Sequence, residues 1–339
     1  MTAAIGVTKQ AGAALLSAML TVTLVASFAS AALWQQYRSL EVETAERSRL
    51  QSSLILTGAL DWARLILRED ARAGGADHLA EPWAVPLEEA RLSSFLAVDG
   101  NTTDSDRDAF LSGTIIDMQG RLNIANLVDG AVLSASGLAS FERLFSRLDL
   151  SPQLLGTLAD NYLEATKKAN VANAVASPNQ SDWLLPQRLN QLAWLGIDEA
   201  TLAALSPYVT VLPVPTPVNL NTASALVLVS VTPGLDLAGA EKLIAARSRK
   251  HFSTLADATQ ALGNSLVTFK DGTHSIASRF FEVRGQLRLD DLTVFERSLV
   301  QRDGLQVRTV WRVRGVVNDA PTLTGTNLNP RNLANPPRP

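Results

Sequence analysis

The chain has 339 residues, a net charge of −3 and 46% hydrophobic residues. At about 100–200 residues per domain this is room for two folded units, and it excludes a wholly disordered chain. The charge balance excludes a generally basic nucleic-acid binder. The absence of cysteine excludes disulfides, thiolate metal sites and a cysteine nucleophile.

No charged residue lies between Lys9 and Arg38. About 20 apolar residues cross a bilayer as a helix, so this run is long enough, and Lys9 gives it a positive flank. Three readings of the run are open. It is a plain membrane anchor, or a secretory signal cut at Ala29-Ser30-Ala31, or a prepilin-type start. In the last, the cut follows Gly12 and Ala13-Ala14-Leu15-Leu16 open the mature helix.

No proline interrupts the chain from Arg38 to Pro82, and Leu56, Ala59, Leu60, Ala63 and Leu67 recur at helical spacing as one apolar stripe. One helix from Ala13 to about Arg68 fits, as do two helices joined near Trp34–Ser39. Residues 75–113 read as irregular. Within them Asp99, Asn101, Asp104 and Asp106 are oxygen donors of the kind calcium takes, but without EF-hand spacing, and a solvated polar loop is the simpler reading. Gly113 to Ile124 reads as strand, turn, strand, with Gly120 and Asp117 making the turn.

From 125 to 277 the pattern is one of short helices. Leu138, Phe141, Leu144, Phe145 and Leu148 share a face; Ser151-Pro152 starts a helix; Leu189, Leu192 and Leu195 fit another that Gly196 ends. Asp198, Asn221, Asp236 and Thr254 look like caps, and Pro213, Pro215 and Pro217 make an extended connector. From Arg279 the period becomes two. Phe281, Val283, Leu287 and Leu289 alternate with Glu282, Arg284, Gln286 and Arg288; Asp290-Asp291 and Asp303-Gly304 reverse the chain; Leu305, Val307, Thr309, Trp311 and Val313 alternate again. This predicts a three-stranded antiparallel meander with one buried face, covered by the second half of the long helix. The proline-rich stretch from Ala320 to Pro339 reads as a disordered tail.

Asn219-Leu220-Asn221-Thr222-Ala223, followed by Pro233-Gly234-Leu235, resembles a helix-hairpin-helix module, whose second glycine helps to seat a phosphate. Asp236 stands at that position, and a carboxylate there repels a phosphate. A structural hairpin is the favoured reading, and nucleic acid is not expected as a partner.

The order of these features over residues 9–318 carries a resemblance. The prepilin-like start is followed by the long helix, the loop with Trp83 and the turn Asp117-x-x-Gly120-Arg121-x-Asn123. The helical region with Asn219-x-Asn221-Thr222-Ala223 and the terminal meander come next. The chain in this order resembles the type II secretion minor pseudopilin K family, general secretion pathway protein K. The resemblance implies an α+β fold: a pilin-like long N-terminal helix packed on a small antiparallel sheet, with a large all-helical domain inserted. The implied segments are a leader at 1–12, a transmembrane helix at 13–37, a pseudopilin domain at 38–124 and 278–318, an inserted domain at 125–277 and a tail at 319–339.

The resemblance also implies cleavage after Gly12 by a prepilin peptidase and N-methylation of Ala13. Most pilins carry Glu at the fifth mature position; here it is Ser17, which implies a place at the filament tip, since an unpaired carboxylate in lipid is costly. The implied role is a non-enzymatic subunit that initiates and caps a periplasmic pseudopilus for export of folded proteins. Minor pseudopilins I and J, the major pseudopilin and the inner-membrane assembly platform are the implied partners. Localisation would be single-pass in the inner membrane with the main domain in the periplasm. Calcium is associated with the family, with Asp99, Asn101, Asp104 and Asp106 as candidates by composition alone. A helix-hairpin-helix DNA-binding membrane protein and a secreted periplasmic enzyme with its signal cut near Ala31 remain as alternatives.

Overall fold

The computed structural model describes residues 10–92, 109–172, 184–263, 266–289 and 292–316. The chain divides into two compact units, Met1–Thr57 and Gly58–Pro339. Helix α1, Gln10–Ala73, contributes to both.

In the first unit, the apolar side chains from Leu15 to Tyr37 are all exposed. The hydroxyls of Ser17, Thr21, Thr23 and Ser27 donate to carbonyls one turn back at 2.8–2.9 Å. Their polar groups are thereby satisfied inside the helix, as a hydrocarbon environment requires. Among the described residues this is the one helix long and apolar enough to cross a membrane. Beyond it, Glu43 pairs with Arg47 at 3.7 Å and Glu46 with Arg49 at 3.9 Å.

In the second unit, the last turns of α1 place Leu60, Ala63 and Leu67 against Trp83, Phe281, Val283, Val300 and Val307. This is the predicted stripe meeting the predicted sheet. Gly74 and Gly75 end the helix with φ of +68° and +117°, backbone that only glycine adopts readily.

The sheet is larger than the predicted meander. Strands β1 Leu87–Arg91 and β2 Ala109–Asp117 precede it. The two-residue strands β3 Leu122–Asn123, β4 Val128–Asp129, β5 Val132–Leu133, β6 Val209–Thr210, β7 Val218–Asn219 and β8 His274–Ser275 pair separately. Strands β9 Phe280–Leu289, β10 Leu292–Asp303 and β11 Gln306–Val316 complete a five-stranded antiparallel sheet, in the order β1-β2-β9-β10-β11.

Residues 75–113 are therefore not all irregular. Trp83 is buried in a short turn, Pro82–Ala84, and β1 closes one sheet edge. The sequence Leu-Glu-Glu-Ala-Arg shows no alternation because β1 is an exposed edge held by its backbone. The predicted strand after Gly120 is only β3, and it runs parallel to β6 instead of back along β2.

The expectation of one buried face also needs correction. Leu299 pairs with Trp311 but Val300 with Thr309, so Val310 is an extra residue in β11. A bulge of this kind reverses the inside-outside phase of a strand. Val307 consequently packs with α1, whereas Trp311 turns to the opposite face with Phe280, Leu299, Met118 and Leu212. Glu282, predicted as solvent-facing, lies on that second face at 1% exposure. It is ion-paired with Arg284 at 2.5 Å and Arg297 at 2.8 Å. Burial raises its pKa, but the two arginines outweigh burial and hold it below the usual carboxylate range.

The helical part contains α2 Ala135–Arg147, α3 Pro152–Ala172, α4 Glu199–Leu205, α5 Ala225–Val231, α6 Leu237–Arg249 and α7 Leu255–Leu262. They enclose one apolar core that runs from Leu122 to Val267 in sequence. Phe141, Leu144 and Phe145 are buried there, as their spacing predicts. Asp198, Asp236 and Thr254 cap α4, α6 and α7. Residues Leu189–Leu195 form a 3-10 helix that Gly196 ends with φ +92°. Asn221 is not a cap. Ser224 caps α5, and Asn221 instead bonds the backbone N–H and C=O of Phe252, each at 2.9 Å.

Candidate functional site

Gly12 and Ala13 lie in the first turns of α1, with Ala13 exposed. Ser17 presents a neutral hydroxyl bonded to the Ala14 carbonyl at 2.9 Å. The calcium candidates Asp99, Asn101, Asp104 and Asp106 lie outside the described residues, as do the leader's first residues, the Asp290-Asp291 reversal and the tail.

The two polar motifs read from the sequence meet in space. Asp117, at the end of β2, accepts hydrogen bonds on Oδ2 from Asn219 Nδ2 (3.0 Å), Thr222 Oγ1 (2.6 Å) and Ser278 Oγ (2.7 Å). Its Oδ1 accepts from Gln119 N–H at 2.8 Å. Asn123 holds the proline connector, accepting from Leu212 N–H and donating to the Val214 carbonyl. Gly120 is required because a Cβ there would meet Thr222 Oγ1 at 2.9 Å. Burial pushes the Asp117 carboxyl above its ordinary range, against the opposing pull of its four donors. These residues join sheet to helical part, with both carboxylate oxygens of Asp117 accepting hydrogen bonds.

A second cluster was not legible from the sequence. Carboxylate oxygens of Asp70, Asp77 and Glu81 lie within 4.8 Å of one another, beside a cleft of about 200 Å³ also lined by Ser278, Arg279 and Arg302. Arg302, on β10, brings a positive charge into the cluster. It donates to Asp70 Oδ2 (2.6 Å), Asp77 Oδ1 (2.5 Å) and the Ser278 carbonyl (2.9 Å). Asp77 Oδ2 accepts from Ser278 N–H at 2.6 Å. The guanidinium supplies the charge that a bound cation would otherwise bring, so these aspartates act as its counter-ions and do not fit a calcium site. Burial pushes Asp77 up, with Arg302 pulling the other way. Glu81 accepts from His78 N–H (2.8 Å) and Trp83 Nε1 (2.7 Å), and burial pushes it up to about 7.

The helix-hairpin-helix resemblance survives as geometry only. Gly234 turns the chain between α5 and α6 with φ +78°. The Gly239 amide, which a phosphate would take, already donates to Asp236 Oδ1 at 2.8 Å. Lys242 is spent on the Leu262 carbonyl at 2.7 Å, and Arg247 on the Leu220 carbonyl.

Two family models match the chain, both described as type II secretion system protein K, over residues 120–214 and 218–277. Type II secretion system protein K of Pseudomonas aeruginosa is 26% identical over 325 residues, covering 90% of this chain and 93% of that protein. Among solved structures, a chain of the GspK-GspI-GspJ complex from the type 2 secretion system of enterotoxigenic Escherichia coli aligns with a TM-score of 0.57. The alignment has 18% identity and covers 80% of this chain and 99% of that one, a likeness of fold.

Proposed function

We propose that the chain, which matches two type II secretion protein K family models and a protein K relative along most of its length, is a minor pseudopilin of that family at the tip of a periplasmic pseudopilus. In this reading it is a non-enzymatic subunit, cut after Gly12 by a prepilin peptidase and methylated on Ala13. Residues 13–37 hold it in the inner membrane, 38–124 with 278–318 form the pseudopilin domain, and 125–277 give the tip its shape. It starts the filament together with minor pseudopilins I and J, and growth from the assembly platform by major pseudopilin addition drives folded proteins outward.

The observation that carries this reading is the exposed apolar surface of α1 from Leu15 to Tyr37, with every Ser and Thr hydroxyl named above satisfied within the helix. A helix built this way is suited to lipid, and a neutral Ser17 needs no partner there. The division of the chain is supported by the helical core, whose buried residues lie between Leu122 and Val267. The partners are proposed from the fold shared with a chain crystallised as a GspK-GspI-GspJ complex.

Mass spectrometry of the mature N-terminus, from cells holding a prepilin peptidase, tests the reading. A chain starting at methylated Ala13 is expected. A chain starting near Ala32 would lack the membrane helix and would refute it in favour of a secreted protein.

A further inference from the structure

His78 and His251 belong to distant segments. His78 sits in the loop that follows α1, on the sheet side of the second unit. His251 sits in the connection between α6 and α7, in the helical part. Their rings stack face to face with centroids 3.8 Å apart and planes 12° from parallel. Both are half-buried. The Ala80 N–H donates to His78 Nδ1 at 3.2 Å, so this nitrogen carries its lone pair and the ring is held in its neutral form.

Charged groups lie in the segments that carry and flank the two rings. Asp70 lies on α1; Asp77 and Glu81 lie on the loop of His78; Arg279 precedes β9 and Arg302 is on β10; Lys250 adjoins His251. Arg302 neutralises Asp70 and Asp77. Glu81 is engaged by the His78 N–H and the Trp83 indole. Burial and then the His251 ring hold His78 below its ordinary value, against the weaker opposite pull of Asp70. Asp70 is thus the anion that opposes the shift of His78, and its charge is already shared with Arg302.

We propose that the His78–His251 stack is a protonation-sensitive latch between the loop after α1 and the α6–α7 connection, closed while the rings are neutral and released when both are charged. Two like charges about 4 Å apart repel strongly enough to shift an open-to-closed ratio by about tenfold or more. The sign follows from the depressed His78 value: the contact is fully present above the ordinary histidine pKa and is lost as pH falls below it. The latch uses only contacts within Gly58–Pro339 and stands or falls independently of the filament reading.

The test uses the full chain in detergent micelles. It has three histidines, and burial pushes His274 down to about 4, so the His78 ring signal can be followed by nuclear magnetic resonance. In His251→Phe, which keeps a stacking ring without its charge, the His78 midpoint should rise by at least about half a pH unit. Amide exchange of residues 74–81, corrected for intrinsic rate, should be about tenfold faster at pH 5.5 than at pH 7.5 in the native chain, and the acceleration should be clearly smaller in the variant, where Glu81 is the group of this segment that still titrates in the window. Equal His78 midpoints in the two proteins would overturn the latch, and so would the same acid response in both. Should His251→Phe fail to fold, the native profile decides: exchange at 74–81 that does not change between the two pH values refutes the proposal.

Discussion

Replacing Arg302 with Met tests whether the carboxylates at the end of α1 are counter-ions of an arginine. The substitution keeps much of the apolar stem and removes the charge. In the native chain Arg302 is 9% exposed and Asp77 3%, so both ions are largely out of water. Removing one member of a buried pair leaves the other uncompensated and costs about 3–5 kcal/mol. Asp70, at 13% side-chain exposure, can rotate towards solvent and will soften that loss; Asp77 cannot, because Ser278 N–H holds its Oδ2. A loss of about 3 kcal/mol at pH 7 is therefore expected, read as a shift of the urea midpoint followed by tryptophan fluorescence. Without Arg302 the folded-state pKa of Asp77, already raised by burial, rises further. Its folded form then binds a proton more tightly than the unfolded chain does, so stability is present at low pH and is lost as pH rises through the folded pKa. Arg302→Met should recover much of its loss between pH 7 and pH 5. A loss below about 1 kcal/mol, or one of the same size at both pH values, would refute the assignment.

Three further outcomes are expected. Leu67→Ala removes a fully buried side chain from between α1 and the sheet and should cost about 3–5 kcal/mol in the same urea assay. Gly137→Ala would put a Cβ 1.8 Å from the Asn126 carbonyl oxygen, which is backbone and cannot yield; a loss of about 3 kcal/mol or failure to fold is expected, measured as soluble yield and thermal midpoint. His274 is buried, bonded to Thr232 Oγ1 at 2.9 Å, and pushed down from 6.5 to about 4 by burial. Its contribution is present above pH 6.5 and is lost as pH falls towards 4, about 3 kcal/mol in all; in His274→Gln the acid slope of the melting temperature should flatten.

What the sequence made legible were the features written in local spacing. The α2 face built on Phe141, Leu144 and Phe145, the Asp198, Asp236 and Thr254 caps, and the Asp303-Gly304 reversal depend on neighbours a few residues away, and each is found where its spacing places it. The misses have a different physical origin. Glu282 reads as solvent-facing by its phase, but Arg284 and Arg297 make its burial tolerable from two positions that alternation treats as ordinary surface. Strand β1 has no apolar rhythm because its role is to bond the edge of β2. The Asp70–Asp77–Arg302 group joins residues more than 200 positions apart, and no local pattern announces such a meeting. The polar motifs around Asp117 and Asn219 were visible as motifs, but only the fold shows that they bond to each other.

The extra residue in β11 also has a consequence for how sequence change can spread through the molecule. Val310 divides one strand into two stretches of opposite phase, so that residues before it answer to α1 and residues after it to the layer containing Phe280 and Met118. Substitutions on either side of it are felt by different neighbours, and the two layers are free to drift independently. A deletion of Val310 would join the stretches into a single rhythm and set Val307 and Trp311 in competition for the same side. Insertions and deletions in this hairpin are thus far more dangerous to the fold than the exposure of Val310 itself would suggest.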